Sequence, residues 1–189
     1  MKVLAGQKVS YDVSYLEMVT RPIFNWPKSK IFKKVCVVES SEISSGAFLQ
    51  LYEKVGRQYE WTDQFLCKRS KVDSFITSKK VNFYQMLVNN DISGFFVLDF
   101  RICKVCDLSY FGLLPIYIGK GLGSYMLRYA ILTAWGQDIE KMTVNTNTLD
   151  HRNALPLYKK YGFTTIRVEK HERILSNDKE TDGRFALVE

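Results

Sequence analysis

The sequence predicts an α/β fold of the α+β kind, and three observations predict it. Segments of alternating apolar and polar residues come in neighbouring groups; stretches with apolar residues three to four apart lie between them; and one glycine-rich turn opens directly into such a stretch. Of the 189 residues, 46% are hydrophobic and 25% charged, and four are proline, which suits one compact soluble domain over residues 1–189 rather than a disordered or Pro-rich linker chain. The longest run without a charge is the twelve residues 108–119, and it contains Gly and Pro. A bilayer span needs roughly 18 apolar residues, so no membrane helix is expected. No apolar run precedes Asp12, so no secretory signal is expected and a cytoplasmic address follows by default.

Each element has its own warrant. Val9, Tyr11, Val13 and Tyr15 alternate with Ser10, Asp12 and Ser14, the period of a half-buried strand. TRPIFNWPKSK ends it with two prolines, and IFKKVCVVE reads as a second strand with which the first could form a hairpin. Ser44 or Ser45 can cap a helix carrying Phe48, Leu51 and Val55, and Thr62 with Asp63 can cap a second one carrying Phe65, Leu66 and Phe75. An antiparallel meander follows: VNFYQMLV, a turn at Asn89-Asn90-Asp91, ISGFFVLDF, a turn near Cys103-Lys104, then VCDLSYFGLLP. Past Pro115, Gly119-Lys120-Gly121-Leu122-Gly123 leads into SYMLRYAILTAW, where Leu122, Met126, Ala130 and Ala134 recur every fourth residue. MTVNTN reads as a short strand, HRNALPLYKKYG as a short helix ended by Gly162, and FTTIRVEKHE as a strand. A polar loop around 177–183 precedes RFALV, a last strand. No internal repeat interrupts this order.

Charge narrows the partners. The formal charge of +7 is spread, with 7 basic and 4 acidic groups in residues 1–50, 7 and 6 in 51–100, and 13 and 10 in 101–189. Lys28, Lys30, Lys33 and Lys34 with Trp26 and Phe32 could serve a polynucleotide, but without clustering elsewhere an anionic small molecule is the better expectation. Four cysteines are too few for a disulfide scaffold. Cys103-x-x-Cys106 spans a turn between strands instead of opening a helix, and the remaining His and Cys are irregularly spaced, so two ordinary buried thiols and no metal site are expected.

The chemistry concentrates at the glycines. A glycine cluster between an apolar strand and an amphipathic helix suits anion binding, because the first helical N–H groups lack intrahelical partners and sit at the positive end of the dipole. Lys120 adds a full charge there. A Walker-type loop needs Lys and then Ser or Thr after its last glycine, and the dinucleotide fingerprint needs Gly-x-Gly-x-x-Gly. Gly119-x-Gly121-x-Gly123 matches neither.

Three stretches, CDLSYFGLLP, YIGKGLGSYML and ALPLYKKYGF, stand in the order found in the GNAT superfamily of acyl-CoA-dependent N-acetyltransferases, which the chain resembles over nearly its whole length. The wording YLEM, YFGL and TLDHRNALPLYKKYGF looks most like a bacterial branch. The resemblance implies a central mixed, mostly antiparallel twisted sheet of about seven strands with helices on both faces. It implies acetyl-CoA as acyl donor, an amine acceptor that is a small molecule or a protein, and direct attack in a ternary complex. It also leaves room for a homodimer, and for a CoA-binding member without catalysis.

The family's loop motif falls on Ile118, Gly119, Lys120, Gly121, Leu122 and Gly123, with Ser124 next in the helix. Ile118 departs from the usual Gln or Arg, which matters less than losing a glycine would, since main-chain N–H groups do most of the gripping. The strand ending near Leu113 is expected to splay from the one at 142–146, and the Leu113 N–H to act as an oxyanion donor. An amine with an ordinary pKa of about 10.4 must lose a proton before it attacks. Asp107 falls where histone-modifying relatives carry a glutamate base, and a shorter carboxylate there suits action through a water; Asp99 and Glu17 are alternatives without a motif position. Tyr158 falls on the family's general acid. His151 stands where many relatives have an asparagine that touches CoA, and could do the same or help deprotonate the amine. Trp61, Tyr59, Phe65 and Phe75 lie in the region that lines the acceptor pocket in relatives, though aromatics of this kind are more often core.

Overall fold

A computed structural model describes residues 2–28 and 34–188. In chain order its elements are β1 (Lys2–Val3), β2 (Lys8–Met18), β3 (Val35–Glu39), α1 (Ser45–Gly56), α2 (Asp63–Leu66), α3 (Arg69–Ile76), β4 (Val81–Val88), β5 (Asp91–Asp99), β6 (Val105–Leu113), α4 (Leu122–Ala134), β7 (Lys141–Asn147), α5 (Ala154–Lys160), β8 (Thr164–Ile174), β9 (Lys179–Glu180) and β10 (Phe185–Leu187). Eight strands make one sheet in the order β10-β2-β7-β6-β5-β4-β3, with β8 along the other side of β2. Among the described residues the one parallel pairing is β6 with β7.

The meander forms as its turn residues dictate. Asn89 and Asn90 both take positive φ, 52° and 73°, the two-residue geometry whose twist matches a β-hairpin. Lys104 at φ 61° makes the next turn. β5 is buried on both faces from Ser93 to Leu98, because helices cover the sheet from both sides. On one side Leu122, Met126, Leu127, Ala130 and Ile131 of α4 pack on Phe96, Leu98, Leu108, Met142 and Val144. On the other, Phe48, Tyr52 and Val55 of α1 and Val72 and Ile76 of α3 pack on Phe83, Phe95 and Val97. The residues that recur every fourth position in α4 are all buried, as the period requires.

Several expectations are corrected. Residues 31–33 of the expected second strand lie outside the described residues, and its described part, β3, forms no hairpin with β2: β3 pairs antiparallel with β4 at one sheet edge, while β2 lies at the far side between β7, β10 and β8. Long-range partners of comparable alternation outcompete the local one. The helix expected after Thr62 is two short helices, α2 and α3, broken by an extended Cys67, and the Thr62 hydroxyl accepts from Arg173 Nη2 (2.6 Å) instead of capping. Of the two thiols expected to be buried, Cys106 is and Cys103, at the turn, is exposed. The polar loop at 177–183 contains β9, which pairs with β1. Three residues of the basic, aromatic segment, Lys30, Phe32 and Lys33, lie outside the described residues.

Candidate functional site

β6 and β7 run parallel for three residue pairs, Val105–Lys141, Cys106–Met142 and Asp107–Thr143, and then part. A cleft of about 530 Å³ opens beyond that point, walled by residues 108–113 on one side and Asn145, Thr146 and Asn147 on the other. The register between β5 and β6 shifts at Ser109: Leu98 pairs with Leu108 and Val97 with Tyr110, so Ser109 is the extra residue of a bulge. The bulge turns Phe111 and Leu113 toward α4 and Tyr110 toward α1, where each joins the core of that side.

The backbone of β6 is half used. Gly94 and Leu113 face each other, and the flanking bond runs from Leu114 N–H to Ser93 O at 2.9 Å, which makes Gly94–Leu113 a non-hydrogen-bonded pair. The Leu113 N–H therefore points away from β5, into the gap that β7 leaves. Helix α1 lies so close over this strand that a Cβ on Gly112 would stand 2.3 Å from Val55 Cγ1, so only glycine fits.

One end of the cleft is the loop before α4. Gly119 and Gly121 have φ of 80° and 75°, values that glycine adopts without strain. Gly121 is the N-cap, and no side chain caps the helix. The first N–H of α4 with a backbone acceptor is that of Tyr125, to Gly121 O at 3.4 Å, which leaves those of Leu122, Gly123 and Ser124 without an intrahelical partner. Ile118, Gly119, Gly121, Gly123 and Ser124 line the cleft. Leu122 is buried beneath, and the Lys120 ammonium sits 5.5 Å from the Tyr117 ring centre.

The other end is aromatic and acidic. Tyr52, Tyr59, Trp61 and Tyr110 line it together with Asp63 and Asp150. Asp150 is held by Trp61 Nε1 on one oxygen (3.1 Å) and by Thr146 Oγ1 (2.7 Å) and Asn147 N–H (3.0 Å) on the other. Between Tyr59 and Trp61, buried Glu60 takes a left-handed φ of 63° and accepts from the N–H groups of Ser176 (2.7 Å) and Asn177 (3.1 Å). That contact ties the aromatic wall to the segment after β8.

The expected catalytic residues divide. Tyr158 lines the cleft from α5, packed edge-on to Phe111 and Phe163, and burial pushes its phenol well above the ordinary 10. Among the described residues no hydrogen bond holds its hydroxyl. His151 also lines the cleft; its Nδ1 accepts the Asn153 N–H (3.2 Å), and burial, then Arg152 and Arg184, lower its pKa from 6.5. With Nδ1 so engaged, the neutral ring carries its proton on Nε2. Asp107 is not in the lining. It accepts from Thr143 Oγ1 (2.7 Å) and Ser109 Oγ (2.8 Å), and burial raises its carboxyl above 3.8 despite those bonds. Ser109 does line the cleft, so the carboxylate lies one hydroxyl behind its wall. Asp99 is paired with Arg101 and Glu17 with Lys141, both away from the cleft. Trp61 and Tyr59 line it, whereas Phe65 and Phe75 do not.

Sequence reasoning missed Asp150, Ser109 and Asp63. Asp150 sits beside His151 in the quoted motif, but its role as anchor for Trp61 depends on a contact 89 residues distant in sequence. The bulge that exposes Ser109 leaves no local signature.

Residues 75–165 match a family model described as an acetyltransferase (GNAT) domain. The matched stretch, just under half of the chain, is similar to the GNAT superfamily. The chain's fold is similar to solved structures of that kind at low identity. A GCN5-related N-acetyltransferase from Sphaerobacter thermophilus superposes with a TM-score of 0.60 at 10% identity, covering 93% of this chain and 53% of that one. One from Kribbella flavida gives 0.54 at 12%, covering 90% and 58%. A functionally unknown conserved protein from Staphylococcus epidermidis gives 0.57 at 15%, covering 90% and 63%. The chain thus spans less than two thirds of the length of each. No curated protein matches it. The mostly antiparallel sheet with helices on both faces, expected from the GNAT resemblance, is the fold observed. Among the described residues no helix is long and apolar enough to cross a membrane, and no group of three or more His, Cys, Asp or Glu is placed to hold a metal.

Proposed function

We propose that the chain transfers the acetyl group of acetyl-CoA to a primary amine by direct attack in a ternary complex. One observation carries the reading: the uncapped N-terminus of α4 and the outward N–H of Leu113 open onto the same cleft as the Tyr158 phenol. The residues fit the donor. Free N–H groups in a loop of left-handed glycines suit a pyrophosphate, with Lys120 beside them. Acetyl-CoA brings an activated thioester; the chain holds and polarises it.

The Leu113 N–H is placed to stabilise the oxyanion that forms when nitrogen adds to the thioester carbonyl. Burial keeps the Tyr158 phenol protonated through the neutral range, as a donor to the departing thiolate must be. The His151 Nε2–H serves as a hydrogen-bond donor to the bound cosubstrate rather than as a base. The proton of the amine leaves toward Ser109 and Asp107 behind it, directly through the hydroxyl or through a water, since Asp107 itself does not reach the cleft.

Turnover of acetyl-CoA against a mixed panel of amines, read as released thiol, tests the proposal. Thiol release dependent on an amine is the expected result. Tight binding of CoA with no transfer to any amine would make the chain a CoA-binding member without catalysis.

A further inference from the structure

The acceptor end of the cleft has a composition that the acetyl-transfer reading does not explain. Two carboxylates stand there: Asp63, exposed at the rim, and Asp150, half-buried. Among the described residues no Lys, Arg or His nitrogen lies within ion-pairing distance of either, although nine other ion pairs form elsewhere on the surface. Arg184 bonds the backbone oxygen of Asp150 and not its side chain. The side-chain donors and the one backbone N–H that hold Asp150 are all neutral, so its negative charge is left for a cation in the cleft to meet.

The walls between these carboxylates are ring faces and edges. Tyr52, Trp61 and Tyr110 form a mutual cluster with centroid separations of 5.4 to 6.0 Å, and Tyr59 stands edge-on to His151. The cluster is rigid: a Cβ on Gly56 would stand 2.4 Å from Trp61 Cβ, and the indole N–H is held by Asp150. Rigid aromatic walls favour a flat or apolar body, and their π-faces also attract a cation. The cleft's about 530 Å³ must hold the donor's pantetheine arm as well, which limits the part of the acceptor that enters to a small group.

We infer that this end of the cleft takes a small primary amine on a flat apolar body, captured as its ammonium ion and carrying no carboxylate. The inference rests on the acetyl-transfer reading for the fate of the amine but not for its capture. An amino acid would bring its carboxylate against Asp63 and Asp150, and a polyamine would leave the aromatic walls without apolar contact.

Calorimetric titration of 2-phenylethylamine, putrescine, phenylalanine and 2-phenylethanol into the protein with CoA present tests it. The aromatic amine is expected to bind at least about tenfold tighter than each of the others, the scale of one desolvated cation–π or ion-pair contact. Combining Asp63→Asn with Asp150→Asn should abolish the advantage over the uncharged alcohol while leaving CoA affinity unchanged. Equal or tighter binding of putrescine or phenylalanine, or no preference for the amine over the alcohol, overturns the inference; the wild-type ranking decides it even where the double variant does not fold. A protein that ranks the amines as expected but does not bind CoA would overturn the acetyl-transfer reading and leave this one standing.

Discussion

Two helices of similar length begin within this molecule in opposite ways. At the start of α1 the Ser44 hydroxyl accepts the Ala47 N–H at 3.2 Å from an extended N-cap, so the helix closes its own end. At the start of α4 the N-cap is a left-handed glycine that caps nothing, and the end faces a cleft. The first arrangement stabilises the fold by itself. The second gives up that contribution and leaves its donors open to the cleft, where the proposed function would use them to bind the donor.

Replacing Gly121 should do most to erase the difference. Gly121→Glu forces a side chain onto φ 75°, which costs about 1–3 kcal/mol, and sets a carboxylate where a pyrophosphate would lie. The strain lowers stability, while CoA affinity is expected to fall roughly tenfold or more by calorimetry through charge repulsion and loss of the free N–H cradle; unchanged affinity would remove the site from this helix end. Tyr158→Phe touches neither helix end and should separate chemistry from binding. We expect kcat to drop at least about tenfold, with the KM for acetyl-CoA little altered. Because burial raises the phenol pKa, the wild-type rate should show no alkaline fall below the ordinary phenol range, pH 10; an earlier fall that disappears in the variant would contradict the assignment.

Smaller effects test the closed end. Gly112→Ala drives a methyl into Val55 of α1, and a stability loss of about 1–3 kcal/mol in urea melts is expected. CoA binding at α4 should survive it; if it does not, the two ends are coupled. Ser44→Ala removes the cap of α1 at a cost of about 1 kcal/mol, with no change in CoA affinity. A loss of affinity there would mean that the closed end also serves the ligand.

Local pattern made much of this legible. The fourfold repeat of Leu122, Met126, Ala130 and Ala134, the Asn89-Asn90 turn and the glycine loop are each written in a few consecutive residues, and each forms as read. Strand partnership was not legible in the same way, because the alternation of residues 9–15 says that a strand forms but not which strand it meets. β2 changes its buried side along its length, from Val9 to Ser14, Leu16 and Met18, a feature that depends on its neighbours. The site shows the same limit. Glycines and Tyr158 could be placed by motif, whereas the retreat of Asp107 behind Ser109 follows from a bulge, and Asp150 gains its role only when Trp61 arrives from a distant loop.

The parting of β6 from β7 has a consequence for exchange with solvent deuterium. In β6 the amides of Tyr110 and Gly112 lie in the ladder with β5, while those of Phe111 and Leu113 turn to the gap. Alternate amides of one interior strand should therefore exchange at contrasting rates, slow and fast by turns, in a region with no mobile loop between them. A ligand seated in the gap would slow the fast pair alone. Protection confined to every second residue would record the occupied slot without any measurement of turnover.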